Sequence, residues 1–186
     1  MNYPVCKYGD AVLRKKAEPI GEVTPEIRQL ARDMVETMHT ERGVGLAAQQ
    51  VGKPLSLCVI DVPAEYDTDD NGARVNSGVT MPLVLINPDI VHYSKEKQSG
   101  EEGCLSFPGL SAPVERCVEV TVNHTDLSGR KQQLTVKGFV ARAVQHEVDH
   151  LNGVLLVDRM SAIKKIALAG QLKRLKRETQ QQLASH

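Results

Sequence analysis

The stretch Gln145-His146-Glu147-Val148-Asp149-His150 sets two imidazoles four residues apart with a carboxylate between them. On a helix, positions i and i+4 lie on one face. His146 and His150 can therefore grip one metal ion while Glu147 handles protons beside it, the mechanics of the H-E-x-x-H pattern. Two histidines do not close such a centre. Zinc- and iron-type hydrolytic sites usually take three protein ligands and keep one position open. Downstream donors are Asp158, which follows the motif by eight residues, Glu178 in the final helix and His186 at the end. Upstream stands Cys104, set in Gly103-Cys104-Leu105-Ser106. Its glycine neighbour permits an unusual backbone shape, and a thiolate suits a soft-to-borderline divalent metal better than an aspartate does. Alone, Cys104 reads as a buried structural thiol. Beside the histidine pair it becomes the strongest third donor.

The rest of the chain has to position these groups. With 186 residues it is long enough for one domain, 1–186, with a sizeable core. Apolar residues make up 41% and charged residues 25%, ordinary for a globular protein. Aromatics are 3% and Trp is absent, so the core must be mostly aliphatic. Formal net charge is +0, which argues against a protein-wide nucleic-acid surface and against a DNA partner. No apolar run approaches the roughly 18–20 residues that span a membrane, so no membrane partner is expected. The start, Met1-Asn2-Tyr3-Pro4-Val5-Cys6-Lys7, lacks a signal-peptide pattern, and the expected location is cytoplasmic. Cys6, Cys58, Cys104 and Cys117 form no C-x-x-C pair and read as thiols or ligands rather than a disulfide framework.

Taken in order, Asp10 to Arg14 is a short segment able to dock on the core. Thr24-Pro25-Glu26 starts a helix over about 24–41: a capping Thr, Pro in the first turn, then an acid. Ile27, Leu30, Ala31, Met34, Val35 and Met38 give it one apolar stripe, read as core packing. Gly43 to Gly52 holds three Gly and two Ala in ten positions, so another backbone or a ligand can approach it closely. It lacks the Gly-Lys-Ser/Thr of a phosphate-binding loop. Leu55 to Val62 reads as a buried strand with Cys58 as a core thiol. Residues 63–80 read as a surface insertion, the segment expected to move most. Its Asp67, Asp69 and Asn71 resemble a calcium loop only by chance, since position 78 is Gly78.

Met81–Ile86 and Asp89–Tyr93 read as two strands around Asn87-Pro88. A polar turn spans Ser94 to Gly100. Val114 to Asn123 alternates as a strand, Asp126 to Arg130 signals a hairpin, and Lys131–Lys137 is the return strand. The motif helix covers Phe139–Leu151 and ends at Asn152-Gly153. Val154–Val157 reads as a short strand or turn. A second helix runs from Ser161 to about Gln182, within a 161–186 helix and tail. Ile163, Ile166, Ala167, Leu172 and Leu175 are its apolar positions, and Lys173, Arg174, Lys176 and Arg177 form a basic cluster. The expected fold class is α+β: antiparallel sheets around a central metal-binding helix, with an N-terminal and a C-terminal helix packed outside.

Three segments together resemble the peptide deformylases: Gly43-Val44-Gly45-Leu46-Ala47-Ala48-Gln49-Gln50, Glu102-Gly103-Cys104-Leu105-Ser106 and His146-Glu147-Val148-Asp149-His150. They occur in the family's order without a substitution at a defining position. The resemblance runs from near residue 1 to about 175, although the 63–80 loop looks longer than in a compact member. It implies Cys104, His146 and His150 as ligands of one divalent metal, Fe(II) in the cell, with zinc, nickel or cobalt able to replace it. It implies Glu147 as general base and acid. Gln50, through its side-chain amide, and Leu105, through its backbone N–H, would form the oxyanion hole. Val44, Gly45 and Gly103 would line the peptide cleft and pair with substrate backbone like an added strand. Phe139 and Ala143, one or two turns before His146, would line the methionine pocket with Val44 opposite. The side on which Arg142 falls stays open.

The implied substrates are nascent polypeptides that begin with N-formylmethionine, and the products are formate and a free amino terminus. This chemistry implies a bacterial cytoplasm. Glu102 is expected to pair with Arg116, or else to stand as a solvated charge, while Gln145 and Asp149 are expected to orient the motif. The basic cluster could contact ribosomal RNA near the exit tunnel, as in some family members, or be a solvated helix face. Two rivals use the same residues. An H-E-x-x-H metallo-endopeptidase would cleave internal bonds. A structural metal site in a ribosome-binding or scaffold protein would have no use for Glu147 and Gln50.

Overall fold

A computed structural model describes residues 1–185. His186, one of the downstream donors and the last residue of the 161–186 tail, lies outside the described residues. The helices are α1 (Pro25–Thr40), α2 (Gly138–Leu151), α3 (Leu156–Arg159) and α4 (Ala162–Ala184). The strands are β1 (Gly45–Ala47), β2 (Leu57–Ile60), β3 (Leu83–Tyr93), β4 (Lys97–Gly103), β5 (Ser111–Cys117), β6 (Glu119–Thr125) and β7 (Lys131–Lys137). Every strand pairing is antiparallel. One five-stranded sheet has the order β1-β2-β3-β6-β7, and β4-β5 form a separate pair. This is the α+β class, with antiparallel sheets, that the residue pattern predicts.

Local chemistry explains the helices. The Thr24 hydroxyl accepts the Ile27 N–H at 3.4 Å, Pro25 supplies the first turn, and Leu30, Ala31, Met34 and Met38 are buried. That stripe packs on Leu46, Leu57, Val59 and Ile86, one face of the large sheet. The other face receives α2, whose Val140, Val144 and Val148 meet Ala47, Cys58, Ile60 and Val122. The β1–β3 part of the sheet is thus covered on both faces, the outer face of β6–β7 stays exposed at Asn123, Gln133 and Thr135, and α2 is fixed along most of its length. A third cluster joins Leu13 and Phe107 to α4 through Leu172, with Leu168 and Leu175 packed beside it.

Four segments differ from the sequence reading. The two strands expected over 81–93 are one strand, β3, with a register shift between Ile86 and Asp89. Asn87 sits there at φ 50, and its amide exchanges hydrogen bonds of 2.8 and 2.7 Å with the Ile20 backbone. The strand expected over 114–123 is two strands in two sheets. Its buried positions, Ala112, Val114 and Arg116, then Val120, Val122 and His124, keep one alternation across the crossing, so the pattern could not reveal it. The expected polar turn over 94–100 ends early, because β4 begins at Lys97. Where 154–157 promised a strand or turn, Leu155 is extended but α3 begins at Leu156.

Of the apolar positions read on the last helix, Ile163 and Ile166 are 81% and 77% exposed and Ala167 is exposed too, so the start of α4 buries little. The 63–80 segment is irregular but anchored in its middle. Asp67 is buried and accepts from Arg74 Nε at 2.9 Å and Asn76 Nδ2 at 2.5 Å. Asn76 in turn accepts the Lys137 N–H at 2.9 Å and donates to the Lys137 carbonyl at 3.1 Å. Among the described residues, no helix is long and apolar enough to cross a membrane.

Candidate active site

The residues singled out from the sequence converge on one cleft of about 640 Å³ between β1, the β4–β5 hairpin and α2. One ligand atom each from Cys104, His146 and His150 lies within 4.8 Å of the others. Cys104 Sγ stands 3.3 Å from His150 Nε2. Glu102 Oε2 lies 2.9 Å from His146 Nδ1, which leaves the other ring nitrogen to face the cluster. A thiol and two imidazoles held this closely fit a divalent metal of borderline softness. Asp158 does not join them, because it pairs with Arg14. Glu178 pairs with Arg174 on the exposed face of α4, 2.7 Å away.

The electrostatics favour the ligating form of the thiol. Burial acts to push Cys104 up, but the charge on His150 and hydrogen bonds from both imidazoles hold it well below its ordinary value. Burial acts to lower His146, and its bonds to Cys104 and Glu102 outweigh that. Glu147, between them in sequence, is buried and pushed up to about 7 by that burial, against the pull of His146 and His150. Its Oε2 has no protein hydrogen-bond partner.

Gly45 is the contact that makes room for this carboxylate. A Cβ at Gly45 would lie 2.2 Å from Glu147 Oε1, far inside van der Waals contact. The glycine therefore lets β1 lie directly on the face of α2 that carries Glu147. On the far side of β1, the chain turns through Ala48–Val51 and aims Gln50 inward. The Gln50 Oε1 accepts the Ala47 N–H at 2.9 Å, which turns its NH2 toward Ser106 Oγ at 3.1 Å and Cys104 Sγ at 3.6 Å. Leu105 follows Cys104, and its own carbonyl accepts from Lys7 Nζ at 2.9 Å. No carbonyl or side chain among the described residues accepts the Leu105 N–H.

Glu102 is no solvated charge. It is 6% exposed and takes a two-pronged bond from Arg116 at 2.9 and 3.0 Å. Arg142 also donates to it at 2.9 Å and reaches the Val114 and Gln98 carbonyls. This answers the question the sequence left open about Arg142. Its guanidinium lies flat against Gly100 and forms part of the cleft wall. Asp149 accepts from Arg116 at 2.6 Å and from Arg159 at 2.9 and 2.5 Å. Gln145 bonds both the N–H and the carbonyl of Cys117, at 3.1 and 2.9 Å, and so pins α2 to β5. Val44, Gly103, Phe139 and Ala143 all line the cleft.

Sequence reasoning missed four contributors. Arg159 holds the outer carboxylate Asp149. Ser106 meets the Gln50 amide and donates to the Cys6 carbonyl at 2.8 Å. Gln49 is fully buried and donates to the His150 carbonyl at 3.0 Å. Lys7 reaches the cleft from the N-terminal segment. Gln49 and Ser106 sit inside the matched motifs and were legible as motif positions. Arg159 and Lys7 carried no local signal.

A Cys/His/His cluster with a buried carboxylate beside it, at the floor of an open cleft, has the parts of a metal-dependent hydrolase. The comparisons with known proteins give the family. The model for "Polypeptide deformylase" matches residues 2–166. A peptide deformylase of Endomicrobium trichonymphae is 43% identical over 173 residues, 93% of this chain and 95% of that one. Another, from Opitutus terrae, is 39% identical over 183 residues, 96% of this chain and 95% of that one. The crystal structure of the Ehrlichia chaffeensis enzyme superposes with a TM-score of 0.84 at 35% identity, covering 96% of this chain and 98% of that chain. This chain belongs to the polypeptide deformylase family, and it is an enzyme of the metal-dependent hydrolase type.

Proposed function

We propose that this chain removes the formyl group from N-formylmethionine at the start of nascent polypeptides, releasing formate and a free amino terminus. The observation that carries this reading is the juxtaposition of Glu147 with the Cys104, His146 and His150 cluster. In this reading the whole chain, 1–186, works as one deformylase-like domain with 63–80 as an insertion. Cys104, His146 and His150 hold the metal, Fe(II) in the cell with zinc, nickel or cobalt able to substitute. A divalent ion there supplies Lewis acidity to the formyl carbonyl and to water.

The chain's own groups do the rest. Glu147 takes a proton from the attacking water as the new C–O bond forms at the formyl carbon. The carbonyl oxygen gains negative charge, and the Gln50 amide and the Leu105 N–H donate to it. The C–N bond then breaks, and Glu147 returns the proton to the leaving nitrogen. Val44, Gly45 and Gly103 offer backbone groups to an extended peptide, in the manner of an added strand. Phe139 and Ala143 receive the methionine side chain, and Arg142 walls the pocket beside them. Glu102, fixed by Arg116 and Arg142, keeps His146 turned toward the metal.

Two finer assignments go with this reading. The location is a bacterial cytoplasm. The exposed Lys173, Arg174, Lys176 and Arg177 of α4 contact ribosomal RNA near the exit tunnel, and removing residues 170–186 should abolish a salt-sensitive ribosome interaction. The reaction itself is tested with two peptides. Metal-loaded protein should release formate from formyl-Met-Ala-Ser and leave internal bonds of an unblocked peptide intact. Internal cleavage without formate release would overturn the reading in favour of an endopeptidase.

A further inference from the structure

The two groups assigned to the oxyanion come from separate parts of the chain, Gln50 from the turn after β1 and Leu105 from the turn after β4. Residues 6–8 run between these turns and bond to both. The Cys6 N–H donates to the Gln50 carbonyl at 2.8 Å, and the Cys6 carbonyl accepts from Ser106 Oγ at 2.8 Å. Ser106 Oγ in turn meets the Gln50 amide at 3.1 Å. The Tyr8 N–H donates to the Ser106 carbonyl at 2.9 Å, and the Tyr8 ring stacks on Phe107 with centroids 4.9 Å apart. Between these two backbone anchors, half-buried Lys7 enters the cleft wall, and its Nζ donates to the Leu105 carbonyl at 2.9 Å across 98 residues of sequence.

The bond from Lys7 falls on the sensitive part of a tight turn. The Phe107 N–H returns to the Cys104 carbonyl at 2.8 Å, so Leu105 and Ser106 are the central residues. Type I and type II turns share that closing bond and differ in which way the central peptide faces. Here the central peptide is the Leu105 carbonyl joined to the Ser106 N–H. Lys7 holds that carbonyl to one side, and no other group among the described residues donates to it. The carbonyls of Cys104, Leu105 and Ser106 are thus all occupied, while the Leu105 N–H is left over. The Leu105 side chain is braced from β1 as well, since a Cβ at Gly43 would lie 2.8 Å from Leu105 Cδ1. We infer that Lys7 is a positioning residue for the reaction: by fixing the Leu105 carbonyl it sets the direction of the Leu105 N–H relative to the Gln50 amide. The inference rests on the oxyanion role given under the proposed function. Donors aimed in advance need no reorganisation as charge develops, and an ångström of misplacement costs up to about 10²-fold in rate. Without the ammonium, the Leu105 carbonyl has no protein donor and the central peptide is free to turn over. The backbone bonds of Cys6 and Tyr8 do not depend on the Lys7 side chain, so the segment itself stays docked.

The test is Lys7→Met, which keeps an apolar stem and removes the donor, assayed as metal-loaded protein on formyl-Met-Ala-Ser. Its kcat should fall about tenfold with KM and metal content unchanged. Lys7→Arg, which offers a charged donor to the same carbonyl, should recover most of the loss. An unchanged kcat in Lys7→Met, a loss that Lys7→Arg does not recover, or a loss shared with KM or metal content would overturn the inference. A second measurement reads the turn itself, by relaxation dispersion on the 15N-labelled protein. The Leu105 and Ser106 amides should show exchange on the μs–ms scale in Lys7→Met and none in the parent. A variant whose two amides stay as quiet as the parent's, or whose exchange is spread evenly over the whole chain, would contradict the brace. A parent that releases no formate would overturn the proposed function instead, and the amide comparison would still decide whether Lys7 holds the turn.

Discussion

Gln50 shows how one side chain is committed to its direction. Its oxygen is occupied by the Ala47 N–H, so only its NH2 is free to face Cys104. If that NH2 stabilises the developing oxyanion, Gln50→Ala should lower kcat about 10²–10³-fold with little effect on metal content. Steady-state kinetics with metal analysis would check this. Gly45 makes a sterically strict prediction. Gly45→Ala places a methyl against Glu147 Oε1, so it should cut activity strongly while the fold, followed by circular dichroism, stays intact. His146, Glu147 and His150 were legible in the sequence because residue type and short spacing announce them, and Cys104 joined them by its glycine neighbour and by resemblance. The partners of those residues were less so. Glu102 and Arg116 stood out by resemblance, but Arg159 and Lys7 reach their places only through the fold.

At the level of elements, α2 is held by charge as much as by apolar packing. Arg159, Asp149, Arg116, Glu102 and His146 form a continuous chain of contacts, with Arg116 and Glu102 each 6% exposed. Removing one member of a buried pair leaves the other uncompensated, at about 3–5 kcal/mol. Glu102→Ala should therefore lower the denaturation midpoint and weaken metal binding about 10–100-fold, since the ring of His146 loses its anchor. On β6, His124 is buried with Nδ1 unpartnered, and burial lowers its affinity for a proton, only partly offset by Asp126. Its folded pKa lies below its unfolded value of about 6.5. Between the two, the unfolded chain binds the proton and the folded chain does not, so stability falls as pH drops below about 6.5. His124→Gln should flatten that slope in urea titrations run across pH 5–7. The strands show the limit of pattern reading. β5 and β6 share one alternation, and only their partners reveal that they belong to different sheets.

For the molecule as a whole, the cleft exists because separate packing clusters meet at it. The N-terminal segment supplies Leu13 to one cluster and Lys7 to the cleft, and it reaches Ser106 through the Tyr8 N–H at 2.9 Å. The α+β class and the motif helix could be read from periodicity and capping. The strand order of the sheet could not, because long-range pairing leaves no local mark. Nor could the exposure of Ile163 and Ile166, whose spacing is that of a buried stripe. The measurement that bears most directly on the central claim is formate release from formyl-Met-Ala-Ser by anaerobically prepared Fe(II) protein, run beside Glu147→Ala with metal content measured on both. The account predicts equal metal occupancy and a rate lower by about 10²–10⁴-fold in the variant. A metal-loaded Glu147→Ala protein that released formate at the parental rate would contradict it.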